Sequence, residues 1–384
     1  MIPQTITWSS AQTQTKGRNM ADLTLRTRVC DLLDIKYPIV LAGMGTAASP
    51  ELAAAVSNAG GLGILGAASL QPDKLAEWIT RTRELTSEPF GVDTLLPMTV
   101  PQSGERDKMH REISPAYKEF AEAFRTRHDL PPSDAKPPLF TRDFAQRQIE
   151  VVLDMKVPVY VSGLGDPGFM VEQAHQLGIK VAAVVGATRH VRKVMPSKLD
   201  FIVAQGHDAG GHNSRIGTMA LIPQVVDAAH PLPVLGAGAI TDGRGLAAAL
   251  ILGAAGVWCG TIFLATDEAN ITPAQKQAIL ESNEDNTVVS KSRTGKPARM
   301  IKNLWAQEFE ASGLEPLPMP LQGIVSSSVM EAASRTGRKD INPGFAGQGV
   351  GMIDNIRPAA DVLRQMVAEA HALLSDGMLS HIQL

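Results

Sequence analysis

Little in this chain points outward. Of its 384 residues only two are cysteine, Cys30 and Cys259. That is too few for a disulfide framework or a thiolate zinc site, and a reducing compartment suits it. Aromatic residues make up 4%, which argues against an aromatic-lined slot for a large planar substrate. The formal net charge is −3, so no bulk positive field exists to capture nucleic acid or an acidic membrane. No apolar run is long enough to span a bilayer. The opening "MIPQTITWSSAQTQTKGRNM" is polar and lacks the apolar core of a secretory signal. The plain reading of residues 1–22 is a disordered tail, or a start upstream of Met20, on a cytoplasmic protein. Lys16 and Arg18, with no acidic neighbour, leave organelle targeting as the alternative.

What the chain does have is alternation. Hydrophobic content of 44% and charged content of 20% are ordinary for a globular protein. From residue 35, short apolar runs alternate with helical stretches. The runs are "PIVLA" (38–42), "GLGIL" (61–65), "FGVDTLL" (90–96), "VPVYVSG" (157–163), "KVAAVVG" (180–186), "FIVAQ" (201–205), "LPVLGAG" (232–238) and "AGVWCG" (255–260). They are apolar on both faces, as parallel strands covered by helices should be. Between the first two, Ser49 reads as an N-cap, Pro50 as the first helical residue and Gly60 as the stop. Eight such strands predict an α/β fold, a (β/α)8 TIM barrel. An open doubly wound sheet is the rival, but no G-x-G-x-x-G follows the first strand.

Two segments break the repeat. Residues 97–141 form a long Pro- and charge-rich insertion, within which "SPAYKEFAEAFRTRH" has a helical pattern. Such an insertion suits a lid or an interface. Residues 266–344 lack barrel periodicity and contain the helix-like "TPAQKQAILES" and "ARMIKNLWAQEFEASG". The expected organisation is therefore a barrel of residues 23–265 plus 345–384, and a smaller, mainly helical substrate-side domain of residues 266–344. The last helix carries Val362, Leu363, Met366, Val367, Ala370, Leu373 and Leu374 at helical spacing and should pack back on the barrel.

A barrel of this type builds its site at the C-terminal ends of its strands. There the chain is rich in glycine and small residues, which lets a flat, phosphate-bearing ligand approach the backbone. Gly236, Gly238 and Gly243 after the seventh strand, with Gly260 and Thr261 after the eighth, read as a phosphate site, helped by the following helix start. The loop "QGHDAGGHN" raises the question of a metal. His207 and His212 do not have the spacing of a zinc-binding helix pair, and no further His/Cys cluster supplies ligands, so no metal is expected. General-base use of His212 fits better, with His207 a solvated loop residue and His190 undecided. The run Lys291, Arg293, Lys296, Arg299 and Lys302 reads as a solvated helix face, with an anionic substrate or a nicotinamide phosphate as the alternative.

These motifs resemble one family. "YPIVLAGMG", "AAAVSNAGGLGILGA", "EPFGVDTLLP", "VAQGHDAGGHNS", "AGVWCGTIF", "TVVSKSRTGKPARMIKN" and "FAGQGVGMIDNIRPAADVL" are similar, in order over nearly all of residues 30–375, to the nitronate monooxygenases. The resemblance implies an FMN-dependent barrel. It implies oxidation of alkyl nitronates or nitroalkanes with O2, through one-electron transfer to flavin, to a carbonyl product and nitrite. It implies His212 as the base that takes the α-proton of a neutral nitroalkane. Position by position it implies flavin contacts at Ala42, Gly43, Met44 and Asp93, then at Gln205, Gly210 and Gly211. It continues with the phosphate glycine Gly238, the turn Trp258, Cys259, Gly260 and Thr261, and Lys180 near the flavin edge. Asp93 departs from the family's usual Asn. A carboxylate there would disfavour an anionic reduced flavin unless protonated or paired. The insertion is also longer than in compact members.

The same fold and motif occur in quinone reductases and in flavin-containing enoyl-acyl carrier protein reductases, so an NAD(P)H-dependent flavin reductase is the main rival. A flavin-free, phosphate-binding lyase using Lys180 as a Schiff-base amine is a second, and a non-catalytic FMN-binding protein a third. A small-molecule substrate is the expected partner. Oligomeric state is unreadable, a homodimer being one option.

Overall fold

Short runs of β-branched and small residues, each stopped by glycine, favour strands buried on both faces. The computed structural model describes residues 23–97, 100–104, 106–133 and 139–375. In it all eight expected runs form strands. These are β1 (Ile39–Leu41), β2 (Gly63–Gly66), β3 (Phe90–Leu95), β4 (Val159–Leu164), β5 (Lys180–Val185) and β6 (Phe201–Gln205). After a two-residue β7 (Gly211–His212), which belongs to another sheet, come β8 (Val234–Ala237) and β9 (Gly256–Cys259). The eight are parallel in the order β1-β9-β8-β6-β5-β4-β3-β2. The ring closes where Val40 bridges Leu62 between β1 and the approach to β2. The expectation for residues 1–22 falls outside the described residues.

Two apolar layers hold the barrel. Inward-facing Val40, Leu62, Ile64, Val161, Val203 and Leu235 form the interior. Helix Arg28–Leu33 closes one end, burying Val29, Cys30 and Leu33 in that cluster. The other face of each strand packs on the helices, as with Leu41, Leu65, Val92 and Val257. Helix Pro50–Asn58 starts as its punctuation predicts, Ser49 Oγ accepting from the Leu52 N–H at 3.4 Å. The last helix, Ala359–Ser375, packs on helix Gly243–Ile251 and buries Val362, Leu363, Met366, Val367 and Ala370. Leu374, in its last turn, is exposed.

Residues 266–344 carry helices Pro273–Leu280, Leu304–Ala311 and Leu321–Arg335. They also carry a hairpin that the helical reading of "ARMIKNLWAQEFEASG" did not anticipate. In it β10 (Thr287–Ser290) pairs antiparallel with β11 (Ala298–Ile301). Gly295, at φ +83°, lies in the loop between them. The helix begins only at Leu304, where Asn303 Oδ1 accepts from the Ala306 N–H at 2.9 Å. Strand β11 then pairs with β7, Ala298 opposite His212 and Arg299 opposite Gly211. The loop after β6 is thus stitched to this second lobe. The insertion contributes helices Arg106–Glu112 and Pro115–Arg127. Phe124 of the latter shares an apolar cluster with Trp305, Phe309 and Val329.

Candidate active site

A cavity of about 750 Å³ opens at the C-terminal ends of the strands, roofed by the second lobe. This lies within the range of roughly 300–1,000 Å³ usual for small-ligand and cofactor sites. Ala42, Gly43 and Met44 enter it from the end of β1, and Asp93 from β3. Gln205, Gly210, Gly211 and His212 follow from the end of β6 and its loop. Gly238 enters after β8, and Trp258, Cys259, Gly260 and Thr261 enter at the end of β9.

Three expected residues do not join them. Lys180 is the first residue of β5, at the opposite rim from the cavity, since a parallel strand delivers only its last residues there. Its ammonium is 3.5 Å from Asp200 and its side chain is 41% exposed. Both the flavin-edge contact and the Schiff-base reading are corrected by that placement. Gly236 faces outward: a Cβ there would lie 2.7 Å from Ile222 Cδ1, so it serves close strand–helix packing. Gly243 is likewise buried under the last helix, its N–H given to Glu369 at 2.9 Å. Asp242 caps the same helix, accepting from Arg244 and Gly245. That helix start therefore meets carboxylates, and the cradle narrows to the loop before it. There Gly238, Ala239 and Ile240 line the cavity with backbone N–H groups that bond no carbonyl among the described residues. Gly238 and Ala239 take left-handed backbone at φ +119° and +53°.

The loop after β6 is heavily cross-braced. Gln205 Nε2 donates to the His212 carbonyl at 2.6 Å. Arg299 donates through Nε and Nη2 to the His207 carbonyl at 3.2 and 3.1 Å. The His207 ring bonds the Ser214 carbonyl at 2.8 Å and does not line the cavity. His207 is a strut. His212 differs: its Nε2 lies 2.9 Å from Thr294 Oγ1, and the ring lines the cavity. Burial, with Lys296 nearby, pushes its pKa down to about 4, so the imidazole is neutral near pH 7.

Asp93 is wedged between two glycines. A Cβ on Gly43 would lie 2.1 Å from its Oδ2, and one on Gly163 would lie 2.7 Å from Oδ1. Burial raises its carboxyl well above the usual range, opposed only by the Gly163 backbone N–H. Oδ1 finds no hydrogen-bond partner among the described residues. Burial with no cation beside it favours the protonated carboxyl, the form that can donate a hydrogen bond. The thiol of Cys259 is pushed up by burial and is chemically quiet.

Several cavity residues escaped the sequence reading: Thr294 from the β10–β11 loop, and Asn342 and Phe345 beyond the last helix of the lobe; Arg293, read as part of a solvated helix face, lies instead in that loop and lines the cavity. The signal was Gly295 and Pro297 inside "SKSRTGKPAR", which argue for a hairpin over a helix. No group of three or more His, Cys, Asp or Glu side chains among the described residues could hold a metal. No helix among them is long and apolar enough to cross a membrane.

Comparison with known proteins follows the same lines. A Mycobacterium tuberculosis protein named as a monooxygenase is 39% identical over 365 residues, 90% of this chain and 96% of its own. The solved nitroalkane oxidase of Streptomyces ansochromogenes superposes with a TM-score of 0.76 at 30% identity, covering 89% of this chain and 97% of that one. FabK from Thermotoga maritima gives 0.73 at 31%, covering 92% and 98%. The family model for nitronate monooxygenase matches residues 26–369. The chain belongs to the nitronate monooxygenase family, a family of flavin-dependent oxidoreductases that act on nitronates and nitroalkanes.

Proposed function

We propose that the protein binds FMN in this cavity and oxidises alkyl nitronates with O2 to a carbonyl product and nitrite. Neutral nitroalkanes enter the same route after His212 removes an α-proton. The observation that carries this reading is a neutral, cavity-lining imidazole at a strand end, braced by Gln205 and Thr294. Thr294 Oγ1 also reaches the Lys296 carbonyl at 3.3 Å. Donating there, the hydroxyl accepts from Nε2–H, and the ring keeps its lone pair on Nδ1 to receive a proton.

The residues present fit the cofactor. Gly211 has open space where a Cβ would stand, and the orphan Oδ1 of Asp93 supplies a polar group in the cavity. The loop Gly238–Ile240, with Gly260 and Thr261, would hold the phosphate; Ala42, Met44, Asp93, Gln205 and Gly210 would border the ring system. Bound FMN would supply the electron acceptor that passes electrons on to O2. The test is anaerobic mixing of the yellow protein with ethyl nitronate, and separately with NADH and NADPH. Bleaching by the nitronate alone is expected. Rapid bleaching by a nicotinamide, without nitronate turnover, would replace this reading with that of a reductase.

A further inference from the structure

Among the described residues Arg293 has no counter-ion. Its guanidinium carbon lies 4.5 Å from the Phe345 ring centroid, and Nη1 donates to Asn342 Oδ1 at 2.8 Å. Asn342 is itself oriented, its Nδ2 donating to the Ser334 hydroxyl at 2.7 Å and the Met330 carbonyl at 3.2 Å. No carboxylate among the described residues raises the affinity of Arg293 for its proton. Burial alone acts on it and pushes its pKa down to about 10, which leaves it charged near pH 7. Among the described residues no other side-chain hydrogen bond of this arginine occurs, so most of its five N–H donors are unused. The side chain nevertheless lines the cavity, and the next residue, Thr294, holds His212.

Burying a guanidinium is costly unless an anion meets it. Asn342 and Phe345 orient the fork, but neither neutralises it. A flat fork of paired donors matches a flat anion with two oxygens, and does so better than an ammonium would. We propose that Arg293 is the seat of a planar two-oxygen anion on the substrate, bound by the open edge of its guanidinium. Two groups have that chemistry: the nitronate itself, and a carboxylate elsewhere on the same molecule. The proposal rests on the nitronate reading for the identity of the substrate, but not for the existence of the anion seat. The cofactor phosphate is a poorer occupant. Its cradle is on the barrel loops after β8 and β9, whereas Arg293 belongs to the second lobe beside the residue that holds the base.

The experiment uses the flavin-loaded protein and its Arg293→Met and Arg293→Lys variants. Calorimetric titration with propionate, and with propanamide as the neutral control, reads the seat without turnover. Met should weaken propionate binding by about tenfold or more and leave propanamide unchanged, with Lys in between. KM values for ethyl nitronate and for the nitronate of 3-nitropropanoate separate the two sources. A rise for both places the reacting group at Arg293, and a rise only for the second places the remote carboxylate there. The proposal is overturned if the native protein binds no propionate, or if the folded Met variant binds it unchanged. It is also overturned if that variant keeps its fold and loses its flavin, which would put the phosphate at the guanidinium. If Met does not fold, the Lys variant decides, and unchanged propionate affinity there overturns it. Failure of the native protein to turn over any nitronate would sink the substrate reading while the titration still judged the seat.

Discussion

At the scale of single residues, Asp93 and His212 use the same burial in opposite ways. Burial favours the uncharged form of each, raising the carboxyl's pKa and pushing the imidazole's down to about 4. A protonated Asp93 would match asparagine in shape and could donate one hydrogen bond, which would remove the conflict with an anionic reduced flavin. Asp93→Asn should therefore retain flavin and keep kcat within a few-fold. Gly43→Ala, whose Cβ would sit 2.1 Å from Asp93 Oδ2, should be isolated largely colourless; absorbance of the purified variants reads both. For His212 the sign follows from its lowered pKa. The base is active when unprotonated, so activity on a neutral nitroalkane should persist as pH falls through 6.5 and be lost only near 4. His212→Asn should abolish that activity and spare preformed nitronates. Thr294→Val, which removes the hydroxyl 2.9 Å from Nε2, should lower kcat on the neutral nitroalkane and displace the acid limb of its pH profile. An acid limb that stayed near 6.5 in the native protein would deny His212 this role.

At the scale of elements, the barrel strands were legible because covered parallel strands read as apolar runs stopped by glycine. The residues at their last positions could be placed at the cavity for the same reason. Lys180 was misplaced because the resemblance implied a contact, while its position at the start of β5 puts it at the opposite rim from the cavity. The strands of the β10–β11 hairpin were illegible for a different reason, although Gly295 and Pro297 marked the turn between them. They are four residues each and carry Arg299 inward, so hydrophobic alternation is missing. Arg299 is 4% exposed, and its guanidinium clamps the His207 carbonyl and the Thr287 hydroxyl. A charge in a short strand, paired with a carbonyl from a distant loop, leaves no periodic trace. Arg299→Met should strip the loop after β6 of this brace and cost about 2–3 kcal/mol, the scale of charged hydrogen bonds. Urea denaturation reads the loss. A variant as stable as the native protein would show that the β7–β11 pairing suffices.

At the scale of the whole molecule, the site belongs to two bodies. The barrel supplies the loops proposed for the cofactor, including the loop after β6 that carries His212; the second lobe supplies Arg293, Thr294 and Asn342. The insertion is packed into that lobe. Phe124 meets Trp305 edge-on at 5.2 Å, Phe120 meets Phe309 at 5.5 Å, and His128 bonds Glu308 at 2.6 Å. Removing an aromatic side chain from such a cluster costs about 3–5 kcal/mol. In Phe124→Ala that loss falls on the lobe and not on the barrel interior, where Val40, Val203 and Leu235 are untouched. The division of labour then has a kinetic signature. The variant should hold its flavin, since its proposed contacts are on barrel loops, yet show faster proteolysis within residues 106–127 and a several-fold higher KM for ethyl nitronate. Rotation of Arg293 and Thr294 away from a fixed barrel rim produces that pattern. Loss of flavin in step with the rise in KM would instead mean that barrel and lobe open as one cooperative unit, with the insertion bracing the cofactor as well as the substrate.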